Sequence, residues 1–447
     1  MRAFERTKRM GKLRATMVIV LALALSGCWT QFRGGPTHTG FQPFEGSINV
    51  ANVANLTEAW TGTTGGAIWS SPAVVGGVAY VGSDDGHLYA FDAAGVTNCS
   101  GTPKSCAPLW TAATGGFARS SPAVVDGIVY VGTASGSVLA FDATGVSGCS
   151  GVPKTCSPLW TATVGSSVVS SPTVANGVLY VGGQFVGLYA FDAHGVTGCS
   201  GVPKTCSRLW LMNAGAAVAS SAAVDGGVAY VGSRDGKLYA VDAAGTVNCS
   251  GTPKTCTPLW TATLGGFVDQ SPTVSNGFVY ISNATQGGPS IAAFDAAGQV
   301  SCSGNPRSCT PVWTANIGPV SGLGSAAVSN GTLYIAGSAL FAFDATGQIG
   351  CSGTPKVCTP KFGATLAVGT NSSPTVANGV LFLGTNEGRI AAFDAAGTRG
   401  CVGPPTLCTP LWSAFTGGLI RTSPAVVAGA LYVGSDDAKL HVYRLPA

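Results

Sequence analysis

The sequence predicts an all-β protein, an eight-bladed β-propeller of four-stranded antiparallel blades closed by an N-terminal strand. Three observations carry this. A Ser-Pro-Ala-Val-like start recurs at Ser71, Ser121, Ser171, Ser221, Ser271, Ser325, Ser373 and Ser423, in steps of 50, 50, 50, 50, 54, 48 and 50 residues. A fixed period of this size belongs to solenoids and propellers. Inside a copy such as residues 121–162, short runs rich in Val, Tyr and Phe alternate with Asp-Gly, Ser-Gly and lone Gly breaks. These are strand and hairpin signals, and no window after the N-terminus sustains a 3.6-residue period. Finally, the array ends in two complementary fragments, as set out below.

In chain order, residues 1–14 are basic, 15–25 form an apolar run of 11, and Leu25-Ser26-Gly27-Cys28 follows. This is the layout of an export signal, too short to span a bilayer. Its last four residues resemble a bacterial lipobox, which makes Cys28 the expected lipidation site and residues 1–27 a lipoprotein signal peptide. Met1 and Met10 are both possible starts. Residues 28–55 read as an extended arm rich in Pro, Gly and Thr. Residues 56–447 hold the repeats.

Each copy has strands A (Ser-Pro-Ala-Val-Val), B (Ile-Val-Tyr-Val-Gly), C (Val-Leu-Ala-Phe-Asp) and D (Leu-Trp-Thr-Ala). Residues 56–61 are a D strand with no A, B or C before it, while residues 423–445 supply A, B and C without D. Pairing the two closes the ring and removes an exposed sheet edge. Blade 5 has a long B–C loop over residues 282–290, and blade 6 has almost none at Gly337-Ser338.

Composition fits this picture. Gly numbers 65 in 447 residues and only 9% of residues are charged, which suits many tight turns and argues against disorder. The formal charge of +4 comes from the leader; without residues 1–27 the chain has 17 basic and 18 acidic residues. A near-neutral protein gives no electrostatic case for nucleic acid.

Of the 15 Cys, 14 form identical pairs: Cys99/Cys106, Cys149/Cys156, Cys199/Cys206, Cys249/Cys256, Cys302/Cys309, Cys351/Cys358 and Cys401/Cys408. Each lies between strands C and D across a Gly-Pro turn. In an exported chain such pairs read as disulfides that staple the C–D loop. Metal binding has no supporting second pair or nearby His.

The run Ala140-Phe141-Asp142-Ala143-Thr144-Gly145, followed by Leu159-Trp160, is similar to the tryptophan-docking repeat of the pyrroloquinoline-quinone (PQQ)-like propellers. The copies use Trp110, Trp160, Trp210, Trp260, Trp313 and Trp412, with Phe362 replacing Trp in blade 7 and Trp60 serving blade 8. The Cys hairpin inserted between Gly and Trp departs from that pattern. The resemblance implies the propeller fold over residues 56–445, with the Trp packed between blades. Eight blades behind a lipobox resemble the BamB-like lipoproteins, which implies a scaffold in the cell envelope. The same family holds quinoprotein dehydrogenases, which implies the alternative of a PQQ- and Ca²⁺-dependent oxidoreductase acting on alcohols or sugars.

The residues favour the scaffold over the enzyme. There is no vicinal Cys-Cys, no Cys-x-x-Cys-His for haem, and His38, His87, His194 and His441 lie in no metal-ligand spacing. No catalytic residue and no cofactor is assigned. Seven of the acids, such as Asp142, belong to the docking repeat, and six others lie in B–C loops, where they read as solvated turn residues. The ring position two before each Ser reads Trp69, Arg119, Val169, Ala219, Asp269, Leu323, Asn371 and Arg421. These D–A loop residues are expected to face the axial funnel, with Trp69, Arg119, Asp269, Asn371 and Arg421 as the ligand-binding candidates. Arg beside Trp suits a carboxylate, a sugar or an aromatic anion. On the opposite face, with the Cys hairpins, Lys104, Lys154, Lys204, Lys254, Arg307 and Lys356 form a basic ring that could meet an anionic surface. The expectation is a secreted monomer, lipid-anchored to a bacterial membrane, that binds envelope proteins or a small ligand.

Overall fold

Each copy folds alike for the same local reasons. In blade 2, strands A (Ala123–Val125), B (Ile128–Gly132), C (Ser137–Asp142) and D (Trp160–Thr163) pair antiparallel in that order. Asp126 and Gly127 make the A–B turn with φ of 51° and 76°. Such a turn twists with its strands and tolerates few residues besides Asn, Asp and Gly. Strand B is buried on both faces because a neighbouring blade lies on each side. At the end of strand C the Asp142 carboxylate accepts the N–H groups of Thr144, Val146 and Ser147. Burial alone would raise its pKa; these donors outweigh it and hold the carboxyl below its usual value.

The computed structural model describes residues 28–185, 187–283, 290–318 and 323–446. The leader expected at 1–27 and residues 284–289 of the blade 5 loop lie outside the described residues.

The strands form eight sheets, one per blade. The ring closes as expected: Thr57–Thr63 pairs antiparallel with Lys439–Arg444 and becomes strand D of blade 8. A ring of serines repeats the closure at the axis. The N–H of Ser71 donates to Oγ of Ser121, and so on through Ser171, Ser221, Ser271, Ser325, Ser373 and Ser423, whose N–H returns to Ser71.

The sheets are not four-stranded. Seven have six strands and that of blade 7 has five, the fifth being Phe41–Gln42 of the N-terminal arm. In the other seven the additional pair is the Cys hairpin, which pairs in parallel with strand D of the preceding blade: Thr205 and Cys206 align with Thr161 and Ala162. All seven disulfides close within these hairpins, with Cα–Cα distances of 3.9–4.0 Å.

The place of the cysteines goes beyond the expected staple of the C–D loop. The first of each pair is half-buried, but the second is core: Cys106, Cys156, Cys206, Cys256, Cys309, Cys358 and Cys408 are 2–7% exposed. The cause is the parallel pairing, which lays that sulfur on the apolar face shared by two blades. Cys156 joins the cluster of Trp110 and Ala112, Cys256 that of Trp210 and Met212, and Cys309 that of Trp260 and Ala262. Cys358 joins Trp313 and Ala315, Cys408 joins Phe362 and Ala364, and Cys106 joins Trp60 at the closing blade. Each disulfide therefore locks a hairpin whose inner sulfur seals the seam between neighbouring blades.

Every docking aromatic except Trp412 also reaches the next blade. A Cβ on Gly145, at φ 66°, would lie 2.2 Å from the Trp110 ring, so only glycine fits there. Phe362 lies on strand D of the sheet begun at Ser325, so the aromatic exchange belongs to blade 6 and not blade 7.

Residues 28–42 thread the axis and bond to the inner edge of every blade in sequence. Trp29 exchanges two backbone bonds with Val74. The carbonyls of Thr30, Pro36, Thr37, Thr39 and Gly40 accept the N–H groups of Val124, Val224, Val274, Val328 and Val376. The Gln31 amide bonds both backbone groups of Val174, and Gln42 donates to the carbonyls of Val426 and Cys28. Arg33 is the buried pin of this plug, donating to the carbonyls of His38, Ser325 and Ala326. Burial lowers its pKa to about 9.

Candidate functional site

The D–A and B–C loops meet at one end of the axis around an opening of about 210 Å³. Trp69, Arg119, Val169, Asp269, Leu323, Asn371 and Arg421 line it together with the ring serines other than Ser221, and Phe32 of the plug forms part of its wall. Of the eight ring positions, Ala219 alone is not among the lining residues.

The arginines are not free cations. Arg119 makes a bidentate pair with Asp84, both bonds at 2.8 Å, and this hydrogen-bonded carboxylate raises the guanidinium's pKa. Arg421 donates to Asp436 at 3.0 Å. Both guanidinia also lie over the Trp69 ring, 3.7 and 4.4 Å from its centroid. Across the opening Asp269 pairs bidentately with Arg234 at 2.8 and 3.0 Å. This is the Arg119–Asp84 pair with its charges exchanged: both join a D–A loop to a B–C loop 35 residues earlier. Asn371 lies 3.5 Å from Asn386.

The mouth is thus charged in detail and balanced in sum, so a ligand carboxylate must compete with Asp84 and Asp436 for either arginine. What the mouth offers is different: Phe117 and Phe267 are 52% and 63% exposed and lie 5.0 and 5.9 Å from the Arg119 and Arg234 guanidinia. Two acceptors nearby, Asp436 Oδ1 and Gln270 Oε1, are buried and bonded by no protein group.

Sequence reasoning missed Asp84, Asp436, Arg234 and Gln270. The B–C acids read as solvated turn residues; Asp85, Asp235 and Asp437 do bond their own loop's backbone, but Asp85 and Asp437 are largely buried and Asp437 pairs with His441. The signal that marks the others is position: Asp84 and Asp436 are the loop residue preceding those turn acids.

The chain's other features lie elsewhere. The Trp29–Val74 bridge is antiparallel, so the plug runs towards the mouth as it leaves Cys28, and Cys28 sits on the side of the A–B turns. The cations of Lys104, Lys204, Lys254, Arg307 and Lys356 each donate to a glycine carbonyl in their own C–D turn. That spends part of the expected basic ring on tying the hairpins down. No helix among the described residues is long and apolar enough to cross a membrane.

The cofactor implied by the repeat is a planar, multiply carboxylated quinone that is held with Ca²⁺ by hard oxygen ligands. The residues present do not fit it. Both mouth arginines are committed to carboxylates, Phe32 and the plug occupy the axis beneath, and among the described residues no group of three or more His, Cys, Asp or Glu could hold a metal ion.

The family described as outer membrane protein assembly factor BamB matches residues 50–145, 152–247 and 199–446. Among solved structures, BamB from Moraxella catarrhalis is similar at 14% identity and a TM-score of 0.61, over 87% of this chain and 99% of that one. Quinohemoprotein alcohol dehydrogenase from Comamonas testosteroni is similar at 16% identity and 0.61, over 94% and 80%. A europium-containing methanol dehydrogenase is similar at 14% identity and 0.59, over 94% and 98%. At these identities the structures share the fold alone. No curated protein matches the chain in sequence. The repeat, the closed ring of eight blades and the matched span together place this chain in the family of outer membrane protein assembly factor BamB.

Proposed function

We propose that this protein is an extracytoplasmic scaffold, tethered through Cys28, that binds a polypeptide segment of an envelope protein at the funnel mouth. The observation that carries this reading is a mouth whose charges are paired with one another and whose exposed side chains, Phe117 and Phe267, are apolar. A polypeptide supplies both N–H donors and apolar side chains. A small anion supplies neither, and it would have to displace Asp84 or Asp436 from a bidentate or stacked arginine. Lipidation at Cys28, on the side of the A–B turns, would hold the mouth away from the membrane and open to partners.

Site-specific photo-crosslinking in the envelope tests this. A crosslinking residue at Phe117 should yield one discrete protein adduct, and one at Val202, on a hairpin, should not. Arg119→Ala with Arg421→Ala, which frees Asp84, Asp436 and Trp69 from the pairs that shape the mouth, should reduce the adduct at Phe117 roughly tenfold or more. Equal adducts at both positions, or an adduct indifferent to the arginines, would contradict the proposal.

A further inference from the structure

The outer edges of the blades are finished in two ways. In seven blades the Cys hairpin of the following blade pairs in parallel with strand D. The residue after the docking aromatic then points its N–H into that pairing: Thr61, Thr111 and Thr161 donate to the carbonyls of Lys104, Lys154 and Lys204 at 3.0–3.1 Å, and Gly363 to Thr406 at 3.0 Å. Strand D of blade 7, Trp412–Phe415, pairs only with its own strand C among the described residues. Strands C and D of blade 8 come from opposite ends of the repeat array, so no hairpin joins them.

Residues 48–56 cover one end of this edge. Trp412 Nε1 donates to the Leu56 carbonyl at 3.0 Å. The remainder stays open. Trp412 and Ala414 are half-buried and Ser413 is exposed, whereas Trp160 and Ala162 are both 2% exposed in the covered blade 2. Phe415, 66% exposed, stands where the other D strands carry Thr63, Ala113, Thr163, Asn213, Thr263, Asn316 and Thr365. An exposed strand with an unpaired outward row is a template for strand addition. An aromatic residue beside it adds apolar area for an occupant to cover.

We propose that this edge of blade 7 docks an extended segment of a partner protein, running parallel to residues 412–415 as the hairpins do elsewhere. The seven covered edges specify its chemistry. It needs a small apolar residue at the register of Cys206, which is 7% exposed against Ala162. It needs an apolar residue one position later to lie beside Phe415, and no proline where it pairs with Ser413. This site is separate from the mouth and does not depend on it.

The probe is a labelled, disulfide-closed synthetic peptide of residues 196–209 carrying Ser207→Leu, titrated against the whole protein by fluorescence anisotropy. Saturable binding is expected, weakened roughly tenfold or more by Ser413→Pro and by Phe415→Lys, and unchanged by Arg119→Ala with Arg421→Ala. The Phe415 side chain is exposed, so Phe415→Lys alone decides the outcome should Ser413→Pro fold poorly. Absence of saturable binding, or binding that Phe415→Lys leaves intact, overturns the proposal. So does a wild-type dimer that Phe415→Lys dissociates, which would assign the edge to a second copy of this chain.

Discussion

The inner rim of the propeller and its outer rim solve the same problem differently. Both present strand edges whose N–H and C=O groups need partners. Inside, one segment, residues 29–42, meets all eight A strands, substituting the Gln31 and Gln42 side chains where its own backbone does not reach. Outside, each blade relies on the next copy's hairpin, and the series stops one short. A single continuous cover can finish a ring; a cover borrowed from the next repeat leaves a gap wherever the array is closed by its two ends. The near-identical copies therefore build a rigid frame, and the places able to recognise something are those where copies differ: the mouth residues and the blade 7 edge.

The largest test of this contrast compares two docking aromatics. Trp160 is buried beneath Gly195 of the next blade, so Trp160→Ala should cost about 3–5 kcal/mol, as for other buried aromatics. Trp412 has no such glycine and is half-buried, so Trp412→Ala should cost about 1–2 kcal/mol. Chemical denaturation of the two variants measures the difference. Equal losses would mean that the blade 7 edge is packed like the rest.

A smaller effect concerns the closing seam. His441 lies between Glu58 on the N-terminal strand, at 2.6 Å, and Asp437, at 3.0 Å. Burial opposes its charge, but the two carboxylates outweigh burial and raise its pKa above the ordinary value of 6.5. A His bound more tightly when protonated contributes fully below 6.5 and loses that contribution as pH rises through its folded pKa. Asp437 is held down to about 2, so its share is present above 3.8 and is lost as pH falls through about 2. Stability measured by denaturation should therefore decline in the wild type as pH rises above 6.5, and His441→Gln should lack that slope. Parallel curves would remove His441 from the closure.

Much of this architecture is legible in the residues themselves. The repeat period, the complementary end fragments and the Cys spacing are local signals, and the closed ring and the disulfides follow from them. What the sequence hides is non-local. Nothing in residues 98–107 says that the hairpin pairs with the blade before its own, or that Cys106 rather than Cys99 is the sulfur that becomes core; both arise because strand D has a free edge there. Nothing in Gln31 or Gln42 says that their amides replace backbone. The pairing of Arg119 with Asp84 needs two loops of different blades in register. One trace of the open seam is visible as a break in the repeat. Seven copies carry a tyrosine on strand B, as at Tyr130, whose hydroxyl donates to the C–D turn of the next blade; blade 7 has Phe382, and the blade after it has no such turn. Phe382 and Phe415 both lie in the one sheet whose D strand no hairpin covers among the described residues.

Amide hydrogen exchange resolved over the eight D strands tests the contrast between the rims most directly. The N–H groups of Thr61, Thr111, Thr161 and Gly363, each bonded to a hairpin carbonyl, should exchange slowly, and that of Ser413 should exchange at close to the rate of an exposed loop. Protection at Ser413 equal to that of the other strands would contradict the account, since it would mean that the outer rim is as completely covered as the inner one.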